Sequence, residues 1–365
     1  MAAGLTPPGS VLEPPLTPSS TDEKPLSTSA RSVVNLLQLH LQGHRLQPWW
    51  ERRLEPDDYT EVLRVLDADE SLRNYVEDKI RYDYDPCRHC LAIRRPSPLH
   101  DILCAKIVDE ISRQLSQFQQ IDGPVADFTK EVEHFATSRI LIPEDTEDGR
   151  QIYSRREPDA SFGHRQAHYP GVIVEVCYSQ KRRRVAHLAD EYILNTDGSV
   201  NAVLAFDIDY RDSKRATVTV WRPDYVTVDG VEGFQAIAVV DAQPFRTDSG
   251  LPVDGCRLQL SLRDFATEYL CRGRSDLKRE IVLTSEQLCC FLSSAEARQD
   301  SQTQIQGSVN LVRPGVLKRR RPQTPPEQAS SEDEGSVGRE RDSKRGRQSS
   351  DYRPCSSSEG SKSEI

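Results

Sequence analysis

The sequence predicts an α/β domain, a mixed β-sheet flanked by helices, carried between disordered N- and C-terminal tails. Three observations predict it. Helical apolar spacing gives way to strand-like runs, returns, and gives way again. Gly171 to Tyr178 is a nearly continuous β-branched run, as expected of a strand covered on both faces. Both ends of the chain are too polar and too poor in periodic apolar residues to pack.

A length of 365 residues would suit two average domains, but the unpackable ends leave one ordered region. At 36% hydrophobic and 29% charged residues with a net charge of −9, the composition is that of a soluble globular protein. No run approaches the roughly 18 apolar residues of a membrane-spanning helix. Met1-Ala2-Ala3-Gly4 is not followed by a basic region and an apolar run, so no secretory signal is expected and the protein is placed inside the cell. Nine cysteines, an odd number, then point to reduced thiols rather than a disulfide framework.

Residues 1–30, with Thr6-Pro7-Pro8 and Pro14-Pro15-Leu16-Thr17-Pro18, read as a disordered Pro/Ser/Thr-rich arm. Residues 31–97 read as a helical N-terminal part: Ser32 to Leu41 and Asp57 to Leu66 have helical apolar spacing, the second with acids suited to a helix start. Residues 98–296 read as the α/β core. Pro98 opens a helix carrying Ile102, Leu103, Ile107, Val108, Ile111, Leu115 and Phe118. Phe128 to Phe135, Ser138 to Pro143 and Ile152-Tyr153 read as strands, followed by the Gly171 to Tyr178 strand and a helix from Leu188 to Leu194. Ala202 to Tyr210, Ala216 to Trp221, Phe234 to Val240 and Cys256 to Leu262 read as further strands, with a helix near Asp264 to Cys271. Residues 297–365 read as a disordered charged tail. Its clusters Lys318-Arg319-Arg320-Arg321 and Lys344-Arg345-Gly346-Arg347 suit nuclear-import receptors or nucleic-acid phosphates, which predicts a nuclear protein.

Five segments carry a resemblance: Arg81-Tyr82-Asp83-Tyr84-Asp85, Pro98-Leu99-His100-Asp101, Pro158-Asp159-Ala160-Ser161-Phe162, Glu175-Val176-Cys177-Tyr178-Ser179-Gln180 and Leu188-Ala189-Asp190-Glu191-Tyr192-Ile193. Together, over roughly Val33 to Leu292, they resemble the PD-(D/E)XK nuclease-like superfamily, with its restriction-endonuclease-like fold, and within it the nuclease-like domains of unknown role common in fungal proteins. The resemblance implies Mg²⁺-dependent phosphodiester hydrolysis, with Mn²⁺ as a substitute metal and nucleic acid as substrate.

Elementary chemistry points the same way. Asp159 at a strand end and Glu175 on the next strand set two carboxylates side by side, and a buried strand has few reasons to hold a lone charge. With the backbone carbonyl of Val176 they offer hard oxygen ligands to Mg²⁺, which would lower the pKa of an attacking water. The competing reading is structural: Asp159 ends a turn, and Glu175 pairs with Arg155, Arg156 or Arg182. Glu110, in mid-helix, is the candidate for a third metal-binding acid, with Asp101 as competitor and a helix-start role as Asp101's plainer explanation.

The sequence departs from the family pattern at one position. A lysine is expected two residues after Glu175, where Cys177 stands, and a thiol cannot supply that cation. Gln180, which the fungal-type motif offers, and Lys181 are the candidates to replace it. Lys181-Arg182-Arg183-Arg184 also reads as a solvated charge run. Cys87, Cys90, His100 and Cys104 match no strong zinc template, so a loop with reduced thiols is expected. Two functions stand: a Mg²⁺-dependent nuclease, or a degenerate nuclease-fold module that binds nucleic acid or protein without cleavage.

Overall fold

A computed structural model of the chain describes residues 25–44, 47, 49–121, 123–144, 152–178, 182–208 and 213–303. The expected arm before residue 25 and the basic clusters beyond residue 303 lie outside them.

The N-terminal part is less helical than expected. Helices α1 (Thr28–Leu41), α2 (Pro56–Ala68) and α3 (Glu70–Lys79) are joined by strands β1 (Trp49–Arg53), β2 (Arg81–Asp85) and β3 (Cys90–Arg94). Strand β2 escapes a hydrophobicity reading because two of its buried positions are the acids Asp83 and Asp85, and β3 because its buried run is only Leu91-Ala92-Ile93. Helix α1 also corrects the arm boundary, starting at Thr28 with Ser27 accepting the Ala30 N–H. Val33, Leu37, Leu66, Leu72 and Val76 pack with Tyr82, Tyr84, Leu91 and Ile93 in a core of their own.

The predicted long helix is α4 (Pro98–Gln119), with Leu99, Leu103, Ile107, Ile111 and Leu115 buried at fourfold spacing. The segment from Phe128, expected to be extended, divides: α5 (Pro124–Lys130) opens at Pro124 after the N-cap Gly123, and β4 (Val132–Ala136) begins after it. Then come β5 (Ile140–Glu144), β6 (Ile152–Arg156), β7 (Ala160–His164), β8 (Val172–Tyr178), α6 (Arg182–Leu194), β9 (Ala202–Ile208), β10 (Ala216–Val228), β11 (Val231–Arg246) and β12 (Arg257–Ser261). A short α7 (Glu268–Cys271), β13 (Glu280–Thr284) and α8 (Ser285–Thr303) complete the described chain. Helix α8 carries ordered structure past residue 296, the expected start of the tail, because Leu288, Leu292 and Ala295 pack into the main core.

Two large sheets result. The first has the order β1-β3-β2-β6-β5 and the second β11-β10-β9-β8-β7-β4, with β12 and β13 as a separate pair. Within the second sheet only β8 and β9 run parallel, joined by α6 as crossover. Residues 172–177 of β8 are all buried, as its composition predicts. Val172, Val174 and Val176 face the core formed with α4 and α8, whereas Ile173 and Cys177 face the core formed with α6. Glu175 shares this second face by alternation. At the start of the strand, a Cβ on Gly171 would lie 2.2 Å from the Asp264 carbonyl, so only glycine allows the approach.

One consequence positions the site. Strand β6 belongs to the first sheet and β7 to the second, so Glu157-Pro158-Asp159 is the crossing between them.

Candidate functional site

At this crossing, Asp159 and Glu175 come together around a cation the sequence did not single out. Arg94, the last residue of β3, has Nη1 3.7 Å from Asp159 Oδ1 and 3.4 Å from Glu175 Oε2, while its Nη2 lies 3.2 Å from Asp83 Oδ1. Nη2 also donates to the Glu157 carbonyl. The Glu157 N–H donates back to Asp83 Oδ1 at 3.0 Å, so β2, β3 and the crossing are tied by one acid–arginine network. Glu175 thus pairs with Arg94 rather than with Arg155 or Arg156, and the Arg182 side chain lies outside the described residues. Arg155 serves Glu157, and Arg156 serves Asp85 and Glu191.

Asp159 is held from several sides. His100 on the first turn of α4 places Nε2 2.9 Å from Asp159 Oδ2, and the Val176 N–H donates to the same oxygen at 2.8 Å. Arg81 stands 3.6 Å from Oδ1. The β7–β8 ladder ends at Ala160 and Val174, so Val176 presents that edge of β8 to the carboxylate. Both groups of a strand residue leave by the same edge. The Val176 carbonyl is therefore on the Asp159 side as well. Glu175 receives the Tyr192 hydroxyl of α6 on Oε1 at 3.1 Å.

The environment drives the two acids apart. Both side chains are 4% exposed. Burial opposes ionisation of Asp159, but the charge and hydrogen bond of His100, with Arg94 and the Val176 N–H, hold it well below the usual carboxylate range. Burial and the Asp159 charge push Glu175 up to about 8, against the pull of Arg94. Burial disfavours a charged His100, yet Asp159 and Asp101 outweigh it and raise the imidazole to about 9, so His100 is a cation at neutral pH.

The remaining predicted residues separate from this centre. Glu110 lies ten residues beyond His100, about 15 Å along the helix. Its carboxylate is taken by Arg113, Gln114 and Gln287, tying α4 to α8, and it does not join the acid pair. Asp101 is exposed and bonds His100 Nδ1 at 3.3 Å. Gln180 and Lys181 lie outside the described residues. His100 and Cys104 do share a face of α4, but both turn to Asp159, with Cys104 Sγ 3.5 Å from its carbonyl. Cys87 and Cys90 turn to different acids, Glu144 and Glu51. Among the described residues no group of three His, Cys, Asp or Glu side chains is arranged to hold a metal ion.

The donor set gives the reason for the acid pair. Asp159 Oδ2 faces His100 and Val176, its Oδ1 faces Arg81 and Arg94, and Glu175 faces Tyr192 and Arg94 on its two oxygens. A divalent ion reaching both carboxylates would have to displace Arg94. As arranged, these residues do not fit Mg²⁺.

No protein-family model and no curated protein matches the chain. No helix among the described residues is long and apolar enough to cross a membrane.

Beside the centre lies a cavity of about 770 Å³ between the first sheet and α6. Asp83, Asp85, Arg156 and Glu191 contribute to its lining, as do Trp49 and Arg184. Arg184 pairs with Glu51 and lies 4.3 Å above the Trp49 ring. His187 also faces this cavity rather than the acid pair. Burial, opposed by Arg156 and reinforced by Asp85, raises Glu191 to about 7.

The sequence reading missed Asp83, Arg94, His100 as a partner of Asp159, and Tyr192 as a partner of Glu175. The alternation of acids in Arg81-Tyr82-Asp83-Tyr84-Asp85 was the available signal for the first. Nothing in Leu91-Ala92-Ile93-Arg94 distinguishes Arg94 from a surface strand terminus.

Proposed function

We propose that the chain is a PD-(D/E)XK nuclease-like protein of restriction-endonuclease-like fold that binds nucleic acid without cleaving it. The observation that carries this reading is Cys177. It occupies the position where the family's pattern calls for a lysine, and it is buried with Val185, Ala189 and Ile193 against α6. At that position a thiol stands where an ammonium group would meet negative charge developing on a phosphate. The fold reading draws on α4, β7, β8, α6 and β9 in that order, with Asp159 before β7 and Glu175 inside β8.

Nucleic acid is favoured as ligand by the family resemblance, and the cavity wall adds the Arg88 guanidinium beside the stacked Arg184 and Trp49 pair. Nuclear residence through Lys318-Arg319-Arg320-Arg321 belongs to the same proposal. Alanine replacement of these four residues in a fluorescent fusion is expected to move the protein out of the nucleus.

The second reading, a Mg²⁺-dependent phosphodiester hydrolase, is favoured by one specific observation: Asp159 and Glu175 approach the same Arg94 nitrogen. Incubation with DNA and RNA in Mg²⁺ or Mn²⁺, beside an Asp159→Ala/Glu175→Ala variant, separates the two. A mobility shift without products is expected. Products that disappear in the double variant would establish the hydrolase instead.

A further inference from the structure

The carboxylates of Asp83, Asp159 and Glu175 come from two different sheets and meet at one guanidinium, and the way they hold it is loose. Charged N–H···O pairs usually close to about 2.7–2.9 Å, often as a two-pronged fork. Here the three contacts are 3.2, 3.7 and 3.4 Å. Among the described residues the buried Arg94 Nε has no hydrogen-bond partner. The guanidinium is therefore seated on the Glu157 carbonyl and stands off from the three carboxylates it neutralises. Were the guanidinium absent, the three acids would leave their charge to a compact hard cation, which takes carboxylate ligands at about 2.1 Å once they close on it.

We propose that Arg94 is the resident cation of this centre: its guanidinium stands among Asp83, Asp159 and Glu175 in place of a divalent ion, and removing it uncovers a binding site for one. The proposal uses the residues of the functional reading but not its logic. A protein that cuts nothing can still gain a metal site, and a failed gain leaves the cleavage assay unaffected.

The site makes a definite electrostatic demand. Burying several carboxylates without a cation is strongly unfavourable. In the wild type Arg94 meets that demand, assisted at Asp159 by His100 and Arg81. Without Arg94, Asp83 and Glu175 lose their cationic partner while Tyr192 still aims Glu175 at the vacated space. Mn²⁺ is the suitable probe, being a hard cation that prefers oxygen ligands.

The experiment follows thermal unfolding of the full chain in EDTA and in excess Mn²⁺, with Mn²⁺ binding measured by calorimetry. Wild type is expected to unfold at the same temperature in both. Arg94→Ala is expected to unfold earlier in EDTA and to recover by about 5 °C or more in Mn²⁺, the shift expected for ligand at about 100-fold its Kd. Arg94→Ala/Glu175→Gln is expected to lose that recovery. A wild type that binds Mn²⁺ as tightly as Arg94→Ala overturns the proposal, as does an Mn²⁺ response that survives Glu175→Gln. Should Arg94→Ala stay unfolded in both media, Arg94→Gln, which keeps the side-chain volume without the charge, decides. Mn²⁺ stabilisation of that variant supports the site, and its absence overturns it.

Discussion

Two arginines link the first sheet to the second layer of the protein through neighbouring acids of β2, and their surroundings differ. Asp83 meets Arg94, which continues to Asp159 and Glu175. Asp85, two residues along the strand, meets Arg156, which continues to Glu191 of α6. The acids at the end of the first chain are 4% exposed, whereas Glu191 is 20% exposed and lines the cavity. The acid pair Asp159 and Glu175, to which a metal role was assigned from sequence, is therefore the enclosed one. Glu191, raised to about 7 and lining the cavity, belongs to another segment of the same resemblance, Leu188 to Ile193, and was given no chemical role from sequence.

The largest expected effect tests the enclosure. Arg94→Ala should cost about 3–5 kcal/mol in chemical denaturation, because it leaves buried acids without their partner. Arg156→Ala should cost less, about 1–3 kcal/mol, since Glu191 can take up a proton and meet water from the cavity. Equal losses would erase the distinction between the clusters.

Proton linkage should separate them next. His100 is raised to about 9, so its contribution to stability is fully present below about pH 6.5 and lost as pH rises through 9. Glu175, raised from 4.5 to about 8, has the same sign over that lower window because the folded state holds the extra proton. Wild-type Tm should thus fall from mildly acidic to alkaline pH, and His100→Gln should flatten the upper part of the fall. An unchanged slope would remove His100 as its source.

Glu191→Gln should act more weakly. The folded state keeps a proton on Glu191 between about 4.5 and 7, so its contribution falls as pH rises through that window. The variant should match wild type in acid and exceed it in Tm above neutrality. The smallest effect belongs to the cavity rim, where Arg184→Ala breaks a partly exposed pair with Glu51 and should cost under about 1 kcal/mol. A larger loss would mean that the rim is part of the folded core.

These differences also explain what could be read from sequence. Apolar periodicity reveals α4 and β8 because burial of Leu103, Ile107, Val172 and Val174 is what forms them. The same signal fails for β2, where the buried Asp83 and Asp85 occupy positions that a pattern search assigns to solvent, and is short in β3, where only Leu91-Ala92-Ile93 is apolar. Asp159 and Glu175 were legible because a strand rarely buries an acid without reason. Arg94 was not, since its role depends on two sheets meeting at Glu157-Pro158-Asp159, a tertiary fact with no local trace. Glu110 misled for the opposite reason: its helix was right, but its place along the axis was too distant from the crossing.

The most direct test puts binding and cleavage in one sample. Wild-type protein is mixed with labelled single- and double-stranded DNA and RNA, with Mg²⁺ and with EDTA, and each mixture is run on native and denaturing gels. A metal-independent mobility shift with intact strands is the predicted result. Strands cut in Mg²⁺ but not in EDTA, with cutting abolished by Asp159→Ala/Glu175→Ala, would contradict it.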